Sequence, residues 1–220
     1  MMKNLSRRKL LKWSMAGGIV GAFTAKGSLA KALMPTPPEV EGPFYPVTPQ
    51  DDKDYDLTRV KGHNSVAEGK HIIVRGSVLD IQGQPVPHAT VEIWQANAKG
   101  RYRHPRDPNP APLDANFQGW AIVAADEHGE FRFKTVMPGA YPASRNWMRP
   151  PHIHFKVFNK GYANLTTQMY FPDEALNETD LLLNEKKPAE RLLMIARKRG
   201  QSETEGLDIY EYAIVIRKKT

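Results

Sequence analysis

The sequence predicts an all-β fold: a β-sandwich with long ordered loops and one short helix. Three observations carry this. Short segments of alternating apolar and polar residues recur along the chain, Pro- and Gly-rich connections separate them, and only one stretch has helical character. A chain of 220 residues, 40% hydrophobic and 25% charged, suffices for one well-buried domain with extensions.

The first 32 residues stand apart. They carry Lys3, Arg7, Arg8, Lys9, Lys12, Lys26 and Lys31 and no Asp or Glu, so these seven charges account for the whole formal charge of +7. The rest of the chain is balanced, which argues against nucleic acid as a partner. A basic start, an apolar run from Met15 to Ala25 and a small-residue site at Ala30-Lys31-Ala32 have the layout of a cleaved export signal. At about 11 residues the run falls well short of the ~20 that a permanent membrane-spanning helix needs, so no stable anchor is expected. Ser6-Arg7-Arg8-Lys9-Leu10-Leu11-Lys12 resembles the twin-arginine signal, with Leu10 where Phe is usual. That route carries proteins already folded, and it implies a periplasmic location.

Residues 33–70 read as an extended arm, rich in Pro and acidic residues near Glu41-Gly42-Pro43-Phe44-Tyr45-Pro46, that wraps over the surface of a sandwich domain at 71–220. Strand signals begin at His71–Leu79, followed by the turn Gly83-Gln84-Pro85 and alternation over Ala89–Gln95; these two predict a hairpin. Residues 97–119 lack apolar periodicity and predict a long ordered loop, the kind of segment that carries function. Trp120–Ala124 and Glu130–Thr135 flank the turn Asp126-Glu127-His128-Gly129 and predict a second hairpin. A Pro-rich loop, Pro138–Pro151, precedes strands at His152–Phe158 and Thr166–Phe171. Pro172–Glu185 is the helical stretch, with Asp173 as candidate N-cap. Clean alternation over Ile209–Ile216 closes the chain.

The absence of cysteine excludes disulfides and thiolate ligands, so a metal would be held by His, Tyr or carboxylate. In Pro150-Pro151-His152-Ile153-His154-Phe155 the two imidazoles lie two residues apart on a strand and therefore share a face, able to reach one metal. Such a pair is equally compatible with a structural or exposed role. Two histidines leave a coordination sphere unfilled, and no carboxylate stands near them in sequence. The two unusual loops each carry a tyrosine: Tyr102 in Gly100-Arg101-Tyr102-Arg103-His104, and Tyr141 in Pro138-Gly139-Ala140-Tyr141-Pro142. Tyrosinate is a hard anionic donor suited to Fe(III), whose charge lowers the phenol pKa. For either tyrosine alone, a loop aromatic bonded to a backbone carbonyl is the simpler reading.

Taken together, five segments resemble the intradiol ring-cleaving dioxygenases, most closely the branch of the protocatechuate 3,4-dioxygenase β-subunit. They are Val91–Tyr102, Ala111–Phe117, Pro138–Pro142, Arg149–Phe155 and Thr167–Phe171, in order and at matching spacing over roughly residues 40 to 175. The resemblance implies an intradiol-dioxygenase-type sandwich and Fe(III) held by Tyr102 and His152 near the equatorial plane, with Tyr141 and His154 axial. Tyr141 is then the ligand that leaves, helping to take up a proton as a catechol binds. The implied reaction inserts O2 between the two hydroxylated carbons and gives a cis,cis-muconate-type product. Arg149 matches an arginine that stabilises negative charge on the ring, and Gln168 a polar residue near the same oxygens; with Tyr141 these are the implied catalytic residues. An oligomer is implied too, with a related subunit as one form of partner.

One departure stands out: Ala143 occupies the place where the protocatechuate enzymes carry a tryptophan, so substrate preference does not carry over. Two rival readings remain at this stage. Gly76–Val91 also resembles small exported β-sandwich binding modules that need no metal, and an iron-binding relative without turnover would keep the ligands while losing the pocket.

Overall fold

The computed structural model describes residues 32–50 and 52–219. The predicted export signal, residues 1–32, lies outside them except for Ala32. Ten strands form two four-stranded sheets and a hairpin. The first sheet has the order β4-β1-β10-β9, where β1 is His71–Asp80, β4 Glu130–Val136, β9 Arg197–Gln201 and β10 Asp208–Ile216. The second has the order β3-β2-β7-β8, where β2 is Thr90–Trp94, β3 Trp120–Ala124, β7 His152–Phe158 and β8 Leu165–Tyr170. Strands β5 (Tyr141–Ser144) and β6 (Trp147–Arg149) pair only with each other.

The core lies between the two sheets, as alternation demands. Ile72, Val74 and Val78 of β1, Phe131 and Phe133 of β4, and Tyr212 and Ile214 of β10 meet Val91 and Ile93 of β2 and Ile153, Phe155 and Val157 of β7. Phe155 is fully buried, its ring centroid 5.4 Å from Tyr212 and 6.0 Å from Phe133. With the odd-numbered residues of β7 committed to the core, His152 and His154 face outward from the sandwich, under the loops.

Both predicted hairpins are crossovers. After β1 the turn forms as expected, with Asp80 N donating to Gln84 O at 2.8 Å and Val86 N to Val78 O at 2.8 Å. The chain then swings at His88 (φ 56°) into the other sheet, where β2 pairs with β3 and β7. The turn at Asp126 likewise forms, its carboxylate accepting from His128 N and Glu130 N, yet it connects β3 of one sheet to β4 of the other. Strand β1 instead pairs in parallel with β10, from far along the chain, and antiparallel with β4.

Two further expectations are corrected. The loop Pro138–Pro151 contains the β5–β6 hairpin. The helical stretch does not begin at Asp173, which sits at φ 59°, outside helical backbone space. It is broken into a 3-10 turn at Ala175–Glu178 and helix α1 at Leu181–Asn184, capped by Asp180, and a second helix, α2 (Pro188–Met194), follows. Residues 33–70 run over the domain as an extended arm tied to its strands. Thr36 N donates to Val215 O, Glu39 N to Thr166 O, and Leu57 joins the main core.

Candidate metal centre

Strand register builds the site. Across β3-β2-β7-β8, Trp120 stands opposite Trp94, Trp94 opposite His154, and His154 opposite Gln168, in one row. His152 pairs with Tyr170 in a neighbouring row. The Trp94 indole stacks on the His154 ring at 4.7 Å and 12°, fixing its plane. On the hairpin, Tyr141 lies opposite Arg149, so one cross-strand pair sets the phenol beside the guanidinium.

Tyr102 arrives from the long loop between β2 and β3, which side chains hold in place of a ladder. Its N–H donates to Asp107 Oδ2 at 2.7 Å. Asn97 ties both tyrosine loops together: its Oδ1 accepts from Lys99 N and Arg101 N, and its carbonyl from Gly100 N and Gly139 N. The two loops touch backbone to backbone. A Cβ on Gly100 (φ 77°) would collide with the Ala140 carbonyl oxygen, and one on Gly139 with Gly100 N. Glycine is required there for space, and at Gly100 for conformation as well.

The Tyr102 hydroxyl lies 3.4 Å from His152 Nε2 and 3.1 Å from His154 Nε2. The Tyr102 and Tyr141 rings meet edge to face at 5.4 Å, and the His152 ring lies 5.6 Å from that of Tyr141. None of the four side chains is more than 5% exposed. His152 Nδ1 is 2.7 Å from Pro150 O; a carbonyl can only accept, so the proton is on Nδ1 and the Nε2 lone pair faces Tyr102. Burial, reinforced by the charge on Arg149, holds both histidines well below their usual pKa and hence neutral. Burial pushes the Tyr102 phenol well above its usual value, with Tyr141 adding to the shift. Tyr141 is also raised by burial, while the positive charge of Arg149 opposes the rise.

This donor set fits a hard, highly charged cation. Nε2 of two neutral imidazoles converges on one phenol oxygen, with a second phenol beside them. Among the described residues no three His, Cys, Asp or Glu groups could hold a metal ion, so any metal here would rely on the tyrosine oxygens.

Arg149 and Gln168 border this cluster, both buried. Arg149 Nη2 donates to Gln168 Oε1 at 2.7 Å and to the Tyr170 hydroxyl at 2.9 Å, and Nε donates to Asp180 Oδ1 at 2.8 Å. Burial disfavours a charged guanidinium, but Tyr170, Tyr141 and Asp180 more than offset it, so Arg149 stays charged. Gln168 Nε2 donates to Val40 O of the arm at 3.0 Å. The arm also roofs the site: Phe44 packs 4.9 Å from the Tyr102 ring, and Gly42 lies against His154.

Sequence reasoning passed over Asp180, Asp107, Trp94 and Phe44. For Asp180 the one available signal was an acidic residue directly before the apolar run Leu181-Leu182-Leu183, an N-cap pattern.

A sequence model of the family described as Dioxygenase (Dioxygenase_C) matches residues 40–218. The chain is 38% identical over 201 residues to the protocatechuate 3,4-dioxygenase beta chain of Burkholderia cepacia, covering 88% of this chain and 86% of the relative. It is 33% identical over 147 residues to the catechol 1,2-dioxygenase of Acinetobacter baylyi, and there spans only 45% of the relative's length. Among solved structures, it overlays with a TM-score of 0.63 on the dioxygenase domain of a dioxygenase carbohydrate-binding protein fusion from Streptomyces sp. SirexAA-E. That match has 26% identity and covers 84% of this chain and 100% of the other. In fold and in sequence alike, the chain belongs to the intradiol ring-cleaving dioxygenase family.

Proposed function

We propose that this chain holds iron(III) through Tyr102, Tyr141, His152 and His154 and inserts O2 into a catechol-type aromatic. The ring opens between its two hydroxylated carbons to a cis,cis-muconate-type product. The observation that carries the ligand assignment is the convergence of Tyr102 Oη with Nε2 of both histidines, at 3.4 and 3.1 Å, in a buried chamber.

Bound iron(III) would supply a Lewis acid that favours the anionic forms of phenols and catechols. The protein residues prepare for it. Neutral His152 and His154 offer lone pairs without proton loss, and Tyr102, held protonated by burial, ionises only when a cation stands beside it. Tyr141 lies beside Arg149, whose charge favours its anionic form, so as a phenolate it would serve as the base for a proton of the incoming catechol. Arg149 sets a fixed positive charge where negative charge develops on the ring. Gln168 braces Arg149 and, through Val40, binds the arm to the same network. The aromatic roof keeps bulk water from the reacting groups.

Ala143, exposed on β5, stands where the protocatechuate enzymes carry a tryptophan, so the reading is kept to catechols as a class. Oxygen uptake by iron-loaded protein with a panel of catechol, protocatechuate and hydroxyquinol tests it. Uptake with formation of ring-opened product from at least one member is expected; iron-loaded protein inert to the whole panel would contradict turnover. We further propose export by the twin-arginine route, supported by Ser6–Lys12 and the small-residue site at Ala30–Ala32. Mature protein beginning near Leu33 would agree with this, and mature protein beginning at Met1 would not. A working oligomer, with a related subunit as one candidate partner, is supported by the relative named as a beta chain.

A further inference from the structure

We propose that Asp180 is the positioning residue for the reaction assigned above, aiming the Arg149 guanidinium at the tyrosine–histidine cluster; this rests on that assignment. Asp180 is fully buried. A carboxylate is placed there at a large desolvation cost unless its lone pairs are filled, and they are. Oδ1 accepts from Arg149 Nε at 2.8 Å and Trp147 Nε1 at 3.1 Å. Oδ2 is reached by the Tyr170 hydroxyl at 3.1 Å, Leu183 N at 3.2 Å and Arg149 Nη2 at 3.4 Å.

Only the bond from Leu183 N belongs to the capping of α1. A helix of four residues could be capped by an exposed Asp; the other bonds all run to residues of the site wall. Together they restrain the guanidinium along its Nε and Nη2 edge. Asp180 accepts from both Nε and Nη2, Gln168 and Tyr170 also accept from Nη2, and the Trp147 ring lies 5.4 Å from the guanidinium carbon. Trp147 is itself oriented by Asp180. Tyr141 stands directly across the hairpin, where the charge of Arg149 and a side-chain hydrogen bond from it favour the phenolate, so the held guanidinium faces the tyrosine–histidine cluster. Without the carboxylate, a long and flexible side chain would have only an amide and a phenol to define its aim.

The test is a double-mutant cycle on the iron-loaded enzyme with Asp180→Asn, Arg149→Gln and the two combined. The thermal midpoint of each metal-free variant is recorded, together with the affinity of each iron-loaded variant for 4-nitrocatechol by optical titration. Asp180→Asn presents an N–H to groups that already donate, so kcat should fall on the order of 10- to 100-fold, as for a misplaced catalytic group. 4-Nitrocatechol binding should weaken as well. The combined variant should have the kcat of Arg149→Gln alone, because Asp180 acts through Arg149. Losses that multiply, or near-normal kcat in Asp180→Asn, would overturn the role. If Asp180→Asn does not fold, the same cycle with Asp180→Glu, which keeps the charge and shifts it, gives the same discrimination. A parent enzyme that neither binds nor cleaves any catechol would instead overturn the functional reading itself.

Discussion

Nε2 of His152 and Nε2 of His154 both lie within 3.4 Å of the Tyr102 oxygen, and the three groups are buried together. Tyr102→Phe removes that oxygen and little else, since the ring still fills its place beside Phe44 and Tyr141. Metal-free stability should change by no more than about 1 kcal/mol. Iron content per chain and the tyrosinate charge-transfer colour should both fall sharply, and full retention of the colour would remove Tyr102 from the ligand set. At this scale the sequence spoke clearly where function is local: a two-residue spacing on a strand places two imidazoles on one face. Of Asp180 it showed only a capping pattern, because that residue's bonds to Trp147, Arg149 and Tyr170 form between segments which the chain brings together only on folding.

Among the elements, the two tyrosine loops depend on glycine at their contact. Gly100→Ala forces a side chain into left-handed backbone space and against the Ala140 carbonyl. The thermal midpoint should drop by about 5 °C or more, and iron affinity should fall with it because Tyr102 and Tyr141 both shift. An unchanged midpoint and iron content would separate the loop contact from the site. At the start of β10, Asp208 is held down to about 2 by hydrogen bonds from Lys70 and then Lys198. A carboxylate depressed on folding contributes stability above its unfolded pKa of about 4 and loses it as pH falls through the folded value. The stability deficit of Asp208→Asn relative to the parent should therefore be full above pH ~4 and close between pH ~4 and ~2. A deficit independent of pH would assign the loss to packing.

Element by element, β7 was legible at both ends, since its core side and its histidine side alternate without a break. Pairing was not. Alternation shows that a strand has a buried face but says nothing about its neighbour, so the turns at Gly83 and Asp126 looked like hairpins where the chain in fact changes sheets. The parallel β1–β10 pair joins segments from opposite ends of the domain, which no local signal announces. Three strands escaped notice for other reasons. β5 and β6 are short and sit among prolines, and β9 is exposed throughout, so it has no apolar face to detect.

For the molecule as a whole, the two sheets spend their inner faces on a common core, while one sheet's outer face is closed over by the arm and the long loop instead of by water. That closure explains why an outward-facing row of a sandwich, Trp94, His154 and Gln168, is as buried as the core itself. The same burial raises the Tyr102 and Tyr141 phenols above their usual pKa. The most direct test of this account is the visible absorption spectrum of the purified protein, with iron measured on the same sample and catechol then added. A broad tyrosinate-to-iron(III) band, with iron near one per chain, that shifts on adding catechol is the predicted result. A colourless protein that takes up no iron after reconstitution would contradict it.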